Sequence, residues 1–161
     1  PGEIWLRPPQ RFQGYLNKPE ATAEVVTEDG WFRSGDLGRL DADGYLFVED
    51  RLKDMIISGG ENIYSPEVER VLAEHPAVME VAIIGVPDDR WGESVKAVVS
   101  FHEGASATEE ELIAFCREHL AHFKCPTQVS FVQSLPRTAT GKLKKFELRE
   151  KFWEGRERRV H

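Results

Sequence analysis

The sequence predicts an α+β fold of small sheets flanked by three helices, and three observations predict it. Short stretches of period-two alternation, punctuated by Asp- and Gly-containing turns, fill the first 50 residues. Two amphipathic stretches carry helix-start chemistry, at Ser65-Pro66 and at Thr108. Short runs of β-branched residues lie between and after them.

Taken in order, residues 3–7 alternate apolar and polar and read as a strand. Residues 19–24 form one helical turn with Pro19 at its first position. Asp29-Gly30 and Asp41-Ala42-Asp43-Gly44 are turns, and residues 45–48 are the strand after the second. This part reads as antiparallel β, too small to bury a core of its own. From Arg51 the pattern becomes mixed. Ser65 is the expected N-cap and Pro66 the first residue of a helix whose buried stripe is Val68, Val71 and Leu72. Residues 81–86 and 95–101 are strands of a covered sheet. Thr108 caps the next helix, with Glu111 completing a capping box. Leu112, Phe115, Cys116, Leu120 and Phe123 are its core positions, and Pro126 bounds it. Residues 129–132 are a further strand and 145–152 a final helix. The composition shift at Asp50-Arg51 divides the chain into 1–50 and 51–161, joined by a hinge of very few residues.

The bulk numbers exclude several classes. Net charge is −7, from 28 acidic and 21 basic residues, which argues against a nucleic-acid binder. Lysines 142, 144 and 145 and arginines 156, 158 and 159 cluster late and read as a solvated face and a basic tail. Cys116 and Cys125 form neither a disulfide framework nor a CxxC motif. Cys116 is expected to be a buried thiol in a reducing, cytoplasmic compartment. No apolar run approaches the roughly 20 residues of a membrane span. The start, Pro1-Gly2-Glu3-Ile4, reads as the interior of a longer protein. The ending Arg159-Val160-His161 is not a peroxisomal address. His119 and His122 fall three apart on one expected helix, but without a third ligand no metal site is assigned.

Three constellations could carry chemistry. Asp36, in Ser34-Gly35-Asp36, is a carboxylate able to accept two neighbouring sugar hydroxyls, or a turn residue bonding its own backbone. Asp50-Arg51-Leu52-Lys53 leads into Gly59-Gly60-Glu61-Asn62, where paired glycines admit a thin ligand or simply close a hairpin. Lys142, in Leu135-Pro136-Arg137-Thr138-Ala139-Thr140-Gly141-Lys142, is a mobile point charge on a loop expected to be flexible.

Together, and in this order, these runs resemble the adenylate-forming superfamily of acyl-CoA synthetases, peptide-synthetase adenylation domains and luciferases. The similarity extends from DGWFRSGDLGRLDADGYLFVEDRLKDMIISGGENIYSPEVE through Pro87-Asp88-Asp89-Arg90-Trp91-Gly92-Glu93 to LPRTATGKLKKFELR. It implies the C-terminal portion of such an enzyme. Residues 1–50 would be the end of the large domain's β-barrel subdomain, and 51–161 the small mobile domain. It also implies roles: Asp36 on the ATP ribose, Arg51 on the nucleotide, Lys53 at the hinge, Lys142 between the attacking carboxylate and the α-phosphate. Gly59 and Gly60 would line the path of the CoA arm, and Arg90 and Trp91 would touch the CoA nucleotide. ATP, CoA and a carboxylic acid are the implied substrates. Mg2+ ligands, the phosphate loop and the acyl pocket are expected in the rest of the large domain. This chain alone is therefore expected to be inactive. Ser34 stands where threonine is commoner in the family. Phe152-Trp153-Glu154-Gly155-Arg156 resembles bacterial fatty-acyl ligases and points to a medium or long acyl chain. Two alternatives stay open: a carrier-protein-loading adenylation domain or acyl-AMP ligase, and a non-catalytic nucleotide-binding module.

Overall fold

In a computed structural model that describes residues 1–156, the chain folds as two units, Pro1–Lys53 and Asp54–His161. The first is a three-stranded antiparallel sheet in the order β1 (Gly2–Leu6), β2 (Phe32–Leu40), β3 (Leu46–Arg51). A short helix, α1 (Pro19–Val25), opens with Pro19 and precedes β2. The β2–β3 turn is closed by Asp41, whose Oδ1 accepts the amide protons of Asp43 and Tyr45 at 3.0 and 2.8 Å. Among the described residues of this unit, Leu37 alone is a buried apolar side chain.

The second unit holds β4 (Ile56–Ser58), β5 (Glu61–Ile63), α2 (Ser65–Ala73), β6 (Val78–Asp88), β7 (Gly92–Phe101), α3 (Glu109–His119), β8 (Gln128–Phe131) and α4 (Lys145–Trp153). Its sheet runs β5-β4-β7-β6 with all neighbours antiparallel, and β8 adds to β7 in parallel. That parallel step needs a crossover, which α3 supplies. Alternation along β6 and β7 gives the sheet two apolar faces. Ile83, Val95 and Val99 join Ile56, Leu72, Leu112 and Cys116 in one cluster. Ala82, Ile84 and Val98 join Leu135 in the other, with Leu143 and Leu148 against them. The helix α3 begins as read: Thr108 Oγ1 accepts the Glu111 amide, and Glu111 Oε2 accepts the Thr108 amide at 2.7 Å.

Four expectations are corrected. Ser65 is the first residue of α2 rather than its cap, which is Tyr64; the Ser65 hydroxyl instead accepts a hydrogen bond from Lys145 at 2.7 Å. Phe123 does not face the core. Leu120 is extended and ends α3, so Phe123 falls in a 3-10 turn (His122–Lys124) and is 46% exposed. For the same reason His119 and His122 do not share a helix, and His119 Nδ1 bonds the Phe115 carbonyl instead. Nor are the late lysines uniformly a solvated face. Lys144 pairs with Glu147, and Lys145, with only 13% of its side chain exposed, pairs with Glu69 at 2.6 Å. The readings placed on Arg158, Arg159, Val160 and His161 lie outside the described residues.

Both cysteines are free and buried. Burial, reinforced by Cys125, pushes the Cys116 thiol up to about 12. Burial raises Cys125 too, with Arg117 pulling the other way. Among the described residues, no helix is long and apolar enough to cross a membrane.

Candidate functional site

In the first unit, strand register decides what Asp36 can do. Asp36 on β2 lies opposite Arg51 on β3, and Arg51 Nε donates to Asp36 Oδ1 at 3.2 Å. The local backbone is held by other groups. The Asp36 amide donates to Ser34 Oγ at 3.0 Å, and the Gly35 amide donates to Glu3 Oε1. The carboxylate is thus not spent on capping its own turn. The Arg51 side chain is 70% exposed, and so open an ion pair adds little stability. Its effect is to orient a carboxylate from the middle of β2 beside a guanidinium at the end of β3. Lys53, three residues past Asp50, is the last residue of this unit and is exposed.

In the second unit, Gly59 and Gly60 join β4 to β5. Their φ values of +59 and +87° fit a two-residue type I′ turn, which requires positive φ at both positions. The turn docks on Trp91: the Gly59 amide donates to the Trp91 carbonyl at 2.9 Å, and a Cβ at Gly59 would lie 2.8 Å from the indole ring. Trp91 is held in turn by Asp88, whose Oδ1 accepts the amides of both Arg90 and Trp91 at 2.9 Å. Arg90 lies over the Trp91 ring, 4.5 Å from its centroid. A cleft of about 510 Å³ opens here, lined by Gly60, Asp88, Arg90, Trp91, Trp153 and Arg156 among others. Glu93 closes one side; it is buried and accepts the Ile57 amide at 3.2 Å.

The sequence reading had assigned no role to Asp88, Glu93 or Trp153. Asp88 was legible as an aspartate bonding its own turn two and three residues on. Trp153 was not, because its partner, the Gly85 carbonyl accepting from Nε1 at 3.0 Å, is 68 residues away.

Lys142 sits on a hydrogen-bonded turn rather than a flexible loop. Arg137 and Leu143 form an antiparallel bridge. The Thr138 amide donates to the Lys142 carbonyl at 2.8 Å, the Gly141 amide to the Thr138 carbonyl at 2.9 Å, and the Lys142 amide to Thr138 Oγ1 at 3.0 Å. The Lys142 side chain is exposed at the end of this turn. These bonds, all internal to the turn, fix its shape.

One buried cation lies elsewhere. Lys96 on β7 donates to Gln128 Oε1 at 3.1 Å and lies 5.1 Å from the centre of the Phe152 ring. Burial lowers its pKa, and the charge of Glu109 raises it. Among the described residues no three His, Cys, Asp or Glu side chains are grouped to hold a metal ion.

Known proteins resemble this chain in sequence and in fold. Residues 67–142 match the model of the AMP-binding enzyme C-terminal domain. The chain is 53% identical to a feruloyl-CoA synthase of Amycolatopsis over 94% of its own length and 30% of the relative's. It is 44% identical to the long-chain-fatty-acid–CoA ligase FadD13 of Mycobacterium tuberculosis, again over 94% and 30%. Among solved structures, o-succinylbenzoate CoA synthetase of Bacillus subtilis, in complex with its acyl-adenylate intermediate, superposes with a TM-score of 0.83 at 41% identity. That match covers 91% of this chain and 30% of the other. The chain thus spans about 30% of the length of these relatives. The α+β unit after Lys53 has the fold of the small C-terminal domain of these enzymes, and residues 67–142 match the AMP-binding enzyme C-terminal domain.

Proposed function

We propose that this chain is the C-terminal portion of an AMP-forming acid–CoA ligase. The observation that most supports the CoA branch is that Gly60, Arg90 and Trp91, separated by 30 residues in sequence, line one cleft beside the Gly59 turn. A cation stacked on an aromatic face suits a phosphorylated, base-bearing ligand.

The reaction runs in two halves. An oxygen of the acid's carboxylate attacks the α-phosphorus of ATP, the bond to pyrophosphate breaks, and acyl-adenylate forms. Asp36 accepts the ribose hydroxyls, with Arg51 beside it holding the carboxylate in place and contacting the nucleotide. Lys142 brings its ammonium to the oxygens between acid and α-phosphate, where negative charge gathers in the transition state. The CoA thiolate then attacks the acyl carbonyl, and AMP leaves. For that half the small unit turns about the chain at Lys53, withdrawing Lys142 and presenting Gly59 and Gly60 to the CoA arm. The tight turn carrying Lys142 supports a rigid-body exchange of this kind over a loop movement. The remainder of the large domain would supply the phosphate loop, the acyl pocket and the Mg2+ ligands, so this chain alone would not activate an acid. The acid is proposed to be a medium- or long-chain fatty acid, supported by the Phe152-Trp153-Glu154-Gly155-Arg156 ending and the similarity to FadD13.

The test is AMP release by the full-length protein against a ladder of aliphatic and aromatic acids, with and without CoA. CoA-dependent AMP release with thioester formed is expected, with the best rates on longer aliphatic acids. Acyl-adenylate accumulating regardless of CoA would move the protein to the carrier-loading or acyl-AMP branch and remove the roles of Gly59 and Gly60. Within the same assay, Lys142→Ala should lower adenylation by about 10²–10³-fold and leave thioester formation from preformed acyl-adenylate nearly intact.

A further inference from the structure

The turn that carries Lys142 is anchored by a side chain with no assigned role. Its shoulders are buried or half-buried: Leu135 belongs to the second apolar cluster, and Leu143 packs against it. Between them, Arg137 makes two bonds in different directions. Its Nη1 donates to the Gly141 carbonyl at 2.7 Å, the peptide group bonded directly to Lys142. Its Nη2 donates to Glu80 Oε1, on β6 and 57 residues away.

Among the described residues, the other hydrogen bonds of the turn are internal to it: to Thr138, between the Thr138 and Thr140 hydroxyls, and from the Lys144 amide to the Pro136 carbonyl. Those bonds fix the shape of the turn but not its position over the sheet. The Arg137 guanidinium supplies that position by joining the last peptide before Lys142 to the longest strand of the unit. The pair is half-exposed, with side-chain exposures of 45 and 28%, so its contribution to folding stability is small. A planar fork with donors on separate nitrogens spans two acceptors that lie in different directions; a lysine donates from a single nitrogen and does not reproduce that span.

We propose that Arg137 and Glu80 are positioning residues for Lys142. They hold the Gly141–Lys142 peptide at a fixed offset from β6, so that motion of the whole unit delivers the ammonium to one place. This rests on the adenylation role of Lys142 proposed above. Neither side chain touches substrate; each acts through the geometry of the turn. A displacement of about 1 Å in a charge that stabilises a transition state can cost up to about 10²-fold in rate.

The experiment uses the full-length protein and measures the two half-reactions separately. The variants are Arg137→Lys, Glu80→Gln, their double and Lys142→Ala, with a thermal melt of each. Arg137→Lys is expected to lower the adenylation kcat about tenfold, with KM for ATP, the thioester half-reaction and Tm unchanged. Glu80→Gln keeps an acceptor oxygen without the charge and should lose about threefold. The double variant should be no worse than Arg137→Lys, because both remove the same bridge. If Lys142→Ala abolishes adenylation while Arg137→Lys and Glu80→Gln run at the wild-type rate, the positioning role is overturned. Equal loss in both half-reactions with a lowered Tm overturns it too, since that is a folding defect. If Lys142→Ala itself leaves adenylation intact, the reading of Lys142 fails, and the inference with it.

Discussion

The two units of this chain are built from the same kinds of strand and turn, yet they bury their apolar residues to very different extents. In Asp54–His161, a five-stranded sheet has helices on both faces, and Ile56, Ile63, Leu72, Ile83 and Leu112 are all fully buried. In Pro1–Lys53, three strands and a seven-residue helix leave Leu40, Leu46, Phe47 and Val48 exposed, Val48 by 64%. A sheet needs another layer to become dry, and the first unit contains too little chain to make one. Its polar site is nevertheless assembled: Asp36 and Arg51 are joined by register and hydrogen bonds that need no core. A candidate pair carried on neighbouring strands can thus be set by local geometry, while stability is set by layers.

The largest effect that could break this contrast is a truncation in each unit. Leu72→Ala should cost this chain about 3 kcal/mol of unfolding free energy, the usual loss for a fully buried leucine. Leu46→Ala should change it by less than about 0.5 kcal/mol, because Leu46 is half exposed. Urea unfolding of both variants checks this. A comparable loss at Leu46 would mean that the first unit has a core of its own.

The contrast also explains what could be read from the sequence. Several elements whose signal is local were legible: the alternation of β1, the Asp41 turn, the capping box at Thr108 and Glu111, the diglycine between β4 and β5. Asp36, Arg51 and Lys142 stand out as candidates because each sits in a run of residues whose order is itself distinctive. What failed were assignments settled by a distant partner. Ser65 looked like a cap, but Lys145, 80 residues on, takes its hydroxyl. Phe123 continued the stripe of α3 on paper, and the extended Leu120 ended the helix first. Arg137 gave no sign of its bond to Glu80, and Trp153 none of its bond to Gly85. Burial in the second unit is long-range, so its side-chain roles are long-range as well.

A smaller effect tests how tightly that unit's candidate CoA turn is packed. Gly59 and Gly60 share positive φ, but only Gly59 is crowded: its Cβ would meet the Trp91 ring, whereas nothing lies within 4 Å of one at Gly60. Alanine at Gly60 should cost only the backbone strain, about 1 kcal/mol. Alanine at Gly59 should cost about 2 kcal/mol and shift the tryptophan emission, since the ring must move. Equal costs at the two positions would show that Trp91 does not rest on the turn.

The smallest effect reads the dryness of the second unit through its titrations. Cys116 carries a thiol raised from an ordinary 9.0 to about 12 by burial, so between pH 9 and 12 the folded state holds a proton that the unfolded state has released. Stability from this group is complete below pH 9 and is lost as pH rises through that window, by about 1 kcal/mol between pH 9 and 10. Cys125, also raised, adds to the fall. Lys96 acts with the opposite sign. Its folded pKa lies below the ordinary 10.5, so between the two values the unfolded state holds the extra proton and stability rises with pH. The two contributions oppose each other below pH 10.5 and can be separated by substitution. Cys116→Val should make the slope of unfolding free energy with pH less negative above pH 9, and Lys96→Met should make it more negative. Urea unfolding at half-unit steps measures both. Slopes indifferent to either substitution would mean that water reaches these groups, and that the second unit is no drier than the first.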